Sequence, residues 1–145
     1  MVKIDFRNKT IFLDTAPLIY FIEGNSPYQE NLKQIFEAND KGDFAFITSS
    51  ITLLEVLVKP LRDGYTELAN QYKRILTDAS GIQIFDMTSE LAVKAAELRA
   101  KYNLRTPDSI QIATAIECKA DYFLTNDSQL KSIAEINSIL LSEFK

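Results

Sequence analysis

Residues 104–127 read LRTPDSIQIATAIECKADYFLTND, a helical pattern that leads directly into a strand pattern. Thr106-Pro107-Asp108 is typical of a helix start, because proline is tolerated in the first turn and an acid is favourable beside the helix dipole. We predict a helix over 109–119, followed by a short buried strand over 121–125. A helix that feeds a buried strand without a hairpin turn indicates the crossover connection of a parallel sheet.

The rest of the chain repeats this alternation of helices and strands. Short apolar runs predict further strands at 10–14, 43–48 and 82–86. Thr15-Ala16-Pro17 predicts a cap and a first turn, and Pro60 is expected to end a helix that begins at Ser50. The predicted helices lie at 18–22, 27–41, 50–58, 65–79 and about 91–102, and a short turn and an apolar run at 139–141 close the chain. The sequence therefore predicts one α/β domain over 1–145, with a parallel sheet covered on both faces.

The composition excludes several classes of chemistry. The 145 residues are 46% hydrophobic and 25% charged, as in an ordinary globular domain. With no histidine, the chain cannot form a Ser-His-Asp triad, a histidine-dependent RNA cleavage site or a His-ligated metal site. The single cysteine, Cys118, excludes an internal disulfide and a cysteine-built zinc site and is expected to be a small core residue. The four widely separated glycines exclude a phosphate-binding P-loop.

Charge and hydropathy indicate where in the cell the protein is expected to be. The longest uncharged run, 44–54, is shorter than the roughly 20 apolar residues of a membrane helix. Residues 1–9 mix charged and apolar side chains and lack the apolar core of a signal peptide. We therefore expect a cytoplasmic protein without a membrane partner. The net charge of -4 argues against nonspecific binding to nucleic acid, but it is compatible with an acidic site neutralised by metal.

Four acids follow or flank these predicted elements. Asp14 ends the first strand, Asp127 follows the strand at 121–125, Asp108 lies in the first turn of a helix, and Glu55 interrupts an apolar helix. Functional groups of α/β folds gather beyond the carboxyl ends of the strands. Oxygen ligands without histidine or cysteine select Mg²⁺ or Mn²⁺.

Each acid also has an ordinary structural interpretation. Asp14 is as compatible with a helix cap as with a metal ligand, and Asp108 with a favourable charge at a helix start. Glu55 can extend to solvent, and Asp127 can cap a turn. The combination of four acids on four elements is what favours a site.

Three segments, 11–23, 49–60 and 104–127, resemble the PIN domain family, in particular the VapC-like toxins of toxin-antitoxin systems, and the match extends over nearly the whole chain. The resemblance implies an α/β/α sandwich of three layers and a Mg²⁺- or Mn²⁺-dependent endoribonuclease acting on single-stranded RNA. It implies that the catalytic and metal-binding acids are Asp14, Glu55, Asp108 and Asp127, with Thr15, Thr125 and Asn126 lining the same corner. We expect Asp14 and Asp108 to hold the principal metal.

The resemblance also implies partners. It predicts a homodimer and an antitoxin protein that lies in an apolar groove and places a basic residue among the acids. Candidate groove walls are Tyr20, Phe21, Tyr28 and Phe36, for which ordinary core packing is the alternative. Arg99, Lys101 and Arg105 are candidate phosphate guides, or members of a solvated helix face.

Two other functions remain open from the sequence. A metal-dependent phosphatase of the haloacid-dehalogenase type would also place an acid at the end of its first strand. It needs a second acid two residues later, where this chain has Ala16. A non-catalytic RNA-binding module with the same fold is the other alternative, although all four acids are intact.

Overall fold

A computed structural model describes residues 5–24 and 26–144 of the chain. The strands are β1 (Thr10–Leu13), β2 (Ala45–Ser49), β3 (Ile82–Phe85), β4 (Tyr122–Thr125) and β5 (Ser138–Leu140). The helices are α1 (Thr15–Glu23), α2 (Gln29–Asp40), α3 (Ser50–Arg62), α4 (Thr66–Asp78), α5 (Ser89–Tyr102) and α6 (Thr106–Glu117). Two short 3-10 helices, Ser128–Ser132 and Leu141–Phe144, flank β5. The predicted absence of a signal peptide in 1–9 lies partly outside the described residues.

The five strands form one sheet in the order β3-β2-β1-β4-β5, and every neighbouring pair is parallel. From β1 the chain proceeds outward to β2 and β3 on one side and then crosses to β4 on the other. The strand order therefore reverses between β1 and β4. In open parallel sheets the crevice at such a reversal, beyond the carboxyl ends of the strands, is where ligands bind.

Alternate side chains of β1 divide the core into two halves. Ile11 and Leu13 pack on one face with residues of α1, α2, α3 and α4. Phe12 points to the other face, where its ring stacks on that of Phe123 at 4.9 Å and packs with residues of α5 and α6. Helices thus cover both faces of the sheet, which confirms the predicted α/β/α sandwich around a parallel sheet.

Two local predictions were wrong. Helix α3 continues through Pro60 to Arg62 instead of ending before the proline. The ring of Pro60 is buried, and its carbonyl accepts a 2.8 Å hydrogen bond from the backbone N–H of Tyr65, so packing and the following turn offset the bond that proline cannot donate. The cap of α1 is Asp14 rather than Thr15, which is the first helical residue.

The aromatic residues proposed as groove walls include two that pack against each other. The rings of Phe21 and Phe36 are stacked at 3.9 Å, and Phe36 is buried. Core packing accounts for this pair. Cys118 is partly buried against the core between the sheet and α5 and α6. Within 5–24 and 26–144 no helix has the length and apolar character that crossing a membrane requires.

Candidate active site

The Asp14 carboxylate lies at the point where the strand order reverses. The backbone N–H of Asp14 extends the pairing of β1 with β4 by donating to the Leu124 carbonyl at 3.1 Å. The Oδ1 atom of Asp14 caps α1 by accepting from the backbone N–H of Thr15 at 2.9 Å. Its Oδ2 accepts a 2.7 Å hydrogen bond from the Thr125 hydroxyl at the end of β4. The structure thus combines the capping interpretation of Asp14 with a position in the crevice between β1 and β4.

The surroundings of Asp14 disfavour an unneutralised negative charge. Burial raises the pKa of its carboxyl group above the ordinary value, and the charge of Asp108 raises it further. Hydrogen bonds from Thr125, Thr15 and Gln111 oppose this rise in the pKa. A cation at this point would favour the ionised carboxylate, because an opposite charge nearby stabilises the charged form.

Glu55 is held against α1 by Thr15. The Thr15 hydroxyl donates a 2.7 Å hydrogen bond to Glu55 Oε1, and Glu55 itself is only partly exposed. The adjacent Leu54, by contrast, is 59% exposed, so the two neighbours lie on different faces of α3. Glu55 therefore points toward the segment that carries Asp14, as expected for a site residue, and is not extended into solvent.

Asp108, in the first turn of α6, is paired with a cation from its own chain. Arg105 Nε lies 3.1 Å from Asp108 Oδ2, and the side chains are 78% and 18% exposed respectively. The pKa of the Arg105 guanidinium is raised mainly by Asp108, with smaller contributions from Glu55 and Asp127. Arg105 is therefore within electrostatic reach of three of the four acids. Of the three candidate phosphate guides it is the one at the site.

The other two candidate phosphate guides contact residues outside the group of four acids. Arg99 Nε donates to the Leu104 carbonyl at 2.8 Å and so fixes the loop between α5 and α6. Lys101 Nζ pairs with Glu135 at 3.2 Å. Both side chains therefore have partners other than the four acids.

The segment after β4 carries three of the predicted residues. Thr125 Oγ1 accepts a 3.1 Å hydrogen bond from the Asp127 N–H, so the hydroxyl that holds Asp14 also shapes the turn. Asp127 Oδ1 accepts from the Gln129 N–H at 3.0 Å and thereby caps the following 3-10 helix. The Asn126 amide donates to the Tyr20 hydroxyl at 3.1 Å, toward α1.

Electrostatic interactions link Asp14 with Asp108, and link Arg105 with Asp108, Glu55 and Asp127. In the described part of the chain, no three acidic or cysteine side chains are arranged to hold a metal ion. Asp14 and Asp108 nevertheless interact electrostatically. Mg²⁺ retains several waters and is commonly bound through one or two carboxylates. The oxygen-only donor set and this pair of carboxylates fit Mg²⁺ or Mn²⁺.

Sequence reasoning missed the polar residues behind Asp14. Gln111 lies in α6 and is 1% exposed, and its Nε2 lies 3.4 Å from Asp14 Oδ1. Its amide also bonds to two buried residues, Ser49, which ends β2 and caps α3, and Thr52 in the first turn of α3. A glutamine inside the apolar run of α6 was the available signal, because a buried amide needs hydrogen-bond partners.

The family model described as PIN domain matches residues 11–136. No match is found among curated protein sequences.

Solved structures share the fold over most of the chain. The VapBC2 structure from Rickettsia felis, bound to a promoter DNA fragment, has a TM-score of 0.73 at 20% identity, covering 90% of this chain and 98% of that one. A toxin-antitoxin complex from Klebsiella pneumoniae has a TM-score of 0.67 at 24% identity, covering 90% and 97%. VapC20 from Mycobacterium tuberculosis, a toxin that cleaves the sarcin-ricin loop, has a TM-score of 0.66 at 16% identity, covering 78% and 86%. With a family match over 11–136 and this shared fold, the chain belongs to the PIN domain family.

Proposed function

We propose that this protein is a divalent-metal-dependent endoribonuclease that cleaves single-stranded RNA. The observation that supports this most directly is the Asp14 carboxylate, partly buried at the strand reversal and coupled to the charge of Asp108. Two repelling carboxylates at a ligand-binding crevice favour a site that is completed by a cation.

Asp14 and Asp108 would bind the ion directly, and Glu55 and Asp127 would complete its surroundings through water. A divalent ion bound there supplies an acidified water and offsets negative charge on the phosphate. The residues of the chain position this chemistry: Thr125 holds the Asp14 carboxylate, and Thr15 holds Glu55. The resemblance to PIN domain nucleases implies attack by water that leaves 5′-phosphate and 3′-hydroxyl ends, and the absence of histidine disfavours the alternative attack by the RNA 2′-hydroxyl.

An open cleft gives RNA access to two of the acids. It has a volume of about 440 Å³ and lies between the α5–α6 loop and the 3-10 helix after β4. Asp108, Asp127 and Arg105 line it together with the polar side chains of Asn103 and Gln129. The guanidinium of Arg105 can contact an RNA phosphate in this cleft. In the absence of metal, the two acids would repel that phosphate.

We further propose that the protein is the toxin of a toxin-antitoxin pair, that it forms a homodimer, and that an antitoxin protein binds it. The similarity of its whole fold to the proteins of toxin-antitoxin complexes supports this assignment.

The test is cleavage of a random-sequence RNA pool by purified protein with Mg²⁺, Mn²⁺ or EDTA, with the product ends identified by sequencing. We expect cleavage with either metal, none in EDTA, and 5′-phosphate ends. Asp14→Asn and Asp108→Asn should abolish cleavage while circular dichroism shows a retained fold. Lys41→Ala, exposed at the end of α2, is the control and should cleave like the parent.

Cyclic-phosphate ends or activity that survives chelation would contradict the proposed mechanism. Metal-independent RNA binding without cleavage would favour the non-catalytic RNA-binding alternative. Hydrolysis of phosphate monoesters in place of RNA would favour the phosphatase.

A further inference from the structure

A chain of buried hydrogen bonds leads from the Asp14 carboxylate back to the backbone of the preceding residue. Gln111 Nε2 donates to Asp14 Oδ1 at 3.4 Å and to Thr52 Oγ1 at 2.6 Å. The hydroxyls of Thr52 and Thr48 are 2.8 Å apart, and Thr48 Oγ1 donates to the Leu13 carbonyl at 2.8 Å. Because Gln111 is 1% exposed and both threonines are 0% exposed, these bonds are shielded from bulk water.

The direction of each bond follows from the number of hydrogens. A hydroxyl has one hydrogen, and Thr48 gives its hydrogen to the Leu13 carbonyl. Thr52 must therefore donate to Thr48 and accept from Gln111. Both hydrogens of the Gln111 amide then have acceptors, namely Thr52 and Asp14.

The orientation of the Gln111 amide is fixed from its other end. Its Oε1 accepts from the Ser49 hydroxyl, and Ser49 Oγ itself accepts from the Ile51 N–H at 3.1 Å, which leaves the Ser49 hydrogen free to donate. If the amide were rotated by half a turn, Oε1 would face Asp14 Oδ1, and two acceptors would oppose each other. Nitrogen toward Asp14 is therefore the arrangement that satisfies every group.

The two Asp14 oxygens differ in the number of donors they accept. An ionised carboxylate offers about four acceptor positions, two on each oxygen. Among residues 5–24 and 26–144, Oδ1 accepts from the Thr15 N–H and from Gln111, and Oδ2 accepts from Thr125. Both acceptor positions of Oδ1 are thus occupied, and Thr125 occupies one of the two on Oδ2.

We infer that Gln111 is a positioning residue that fills Asp14 Oδ1 and directs Oδ2 to a divalent cation. This inference rests on one part of the proposed function, namely that a cation binds at Asp14. It also accounts for the amide that is buried within the apolar run of α6.

The first test compares Gln111→Leu with a matched control. Asn39 is also a buried amide, 6% exposed, but it donates to the Phe44 and Gly81 carbonyls away from the acids. Mn²⁺ binding is measured from the electron paramagnetic resonance signal of the free ion. We expect the Kd for Mn²⁺ to rise about 10- to 100-fold in Gln111→Leu, as for other groups that orient a ligand, and to stay near the parental value in Asn39→Leu.

Cleavage separates positioning from general destabilisation. In Gln111→Leu, RNA cleavage should recover toward the parental rate at saturating Mn²⁺, because Asp14 itself is intact. A parental Kd for Mn²⁺ in Gln111→Leu would overturn the inference. If Gln111→Leu does not fold, Thr52→Val keeps the side-chain shape and removes one acceptor of the Gln111 amide. Its Kd should exceed the parental value, and a parental Kd would again overturn the inference.

A second test needs no metal. In EDTA, nuclear magnetic resonance of the side-chain amides should show the Gln111 signals shifting in Asp14→Asn, while those of Asn39 stay in place. Unchanged Gln111 signals would overturn the inference. A parent protein that binds Mn²⁺ through Asp14 but cleaves no RNA would refute the nuclease proposal and leave the positioning role standing. A parent that binds no Mn²⁺ would refute both.

Discussion

Thr125 Oγ1 donates a 2.7 Å hydrogen bond to Asp14 Oδ2, although the two residues are 111 positions apart in the chain. Thr125 ends β4 and Asp14 follows β1, and these strands are paired in a register that sets Leu13 opposite Leu124. The contact is therefore a direct product of the sheet order. It places a fixed, uncharged donor on the carboxylate at the centre of the candidate site.

Removing this donor should weaken metal binding without unfolding the protein. Thr125→Val keeps the shape of a fully buried side chain but leaves Asp14 Oδ2 and the Asp127 N–H without their partner. We expect Mn²⁺ affinity to fall about 10- to 100-fold, with loss of cleavage at low metal concentration. Thr114→Val is the matched control, because Thr114 is equally buried but donates only to the Ile110 carbonyl in α6. Equal Mn²⁺ affinity in the two variants would contradict the role of Thr125.

Divalent metal should stabilise the folded protein. An ion that binds only the folded state at a hundredfold excess over its Kd adds about 2.7 kcal/mol to the free energy of unfolding. For a domain of this size that is a rise in Tm of roughly 5 to 15 °C. Melting followed with Mn²⁺ and with EDTA should show the rise in the parent and in Lys41→Ala. The same rise in Asp14→Asn and Asp108→Asn would show that these acids do not form the site.

Without metal, the contribution of Asp14 to stability should fall as pH rises. Burial, and then the charge of Asp108, raises the pKa of Asp14 in the folded protein. The folded state then binds the proton more tightly than the unfolded state. The resulting stabilisation is complete below the unfolded pKa, near 4, and is lost as pH rises through the folded pKa.

The measurement is the Tm in EDTA from about pH 4 to pH 7. The lower limit is close to the pKa of an aspartate carboxyl group in the unfolded chain. The difference in Tm between Asp14→Asn and the parent should grow with pH, because the amide does not titrate. A constant difference in Tm across this range would refute the raised pKa.

Arg105 should contribute to RNA binding rather than to metal binding. Its guanidinium is 78% exposed at the cleft and pairs with Asp108, so RNA phosphate and Asp108 compete for it. In Arg105→Ala the slope of log affinity for single-stranded RNA against log salt should decrease by about one. Mn²⁺ affinity should not fall, because Asp108 loses a competing cation. Arg74→Ala, exposed on α4, is the charge-matched control and should keep the parental slope. An unchanged slope in Arg105→Ala would contradict a contact between Arg105 and RNA phosphate.

Local patterns were sufficient for most of the fold. The amphipathic stripe of 65–79 and the spacing of Leu91, Ala95 and Leu98 correctly predicted α4 and α5, because one buried face imposes a helical period. Pro60 misled the prediction, since its burial in α3 depends on packing that is not local. The assignment of Asp14, Glu55, Asp108 and Asp127 to catalysis and metal binding stays a prediction. The structure brings Asp14 and Asp108 into electrostatic contact and places Glu55 against Thr15.

The sequence by itself determined the alternation of helices and strands, the acid at the end of the first strand, and the exclusion of histidine and paired-cysteine chemistry. These properties depend on side-chain type and on periods of two to four residues. Only the tertiary structure decided that Thr125 and Gln111 hold Asp14 and that Arg105 is the cation beside Asp108. The first two contacts join residues about 100 positions apart, and the third depends on a side-chain conformation at the mouth of the cleft. The two long-range contacts follow from the strand order and from the packing of α6 on the sheet, which no local pattern encodes.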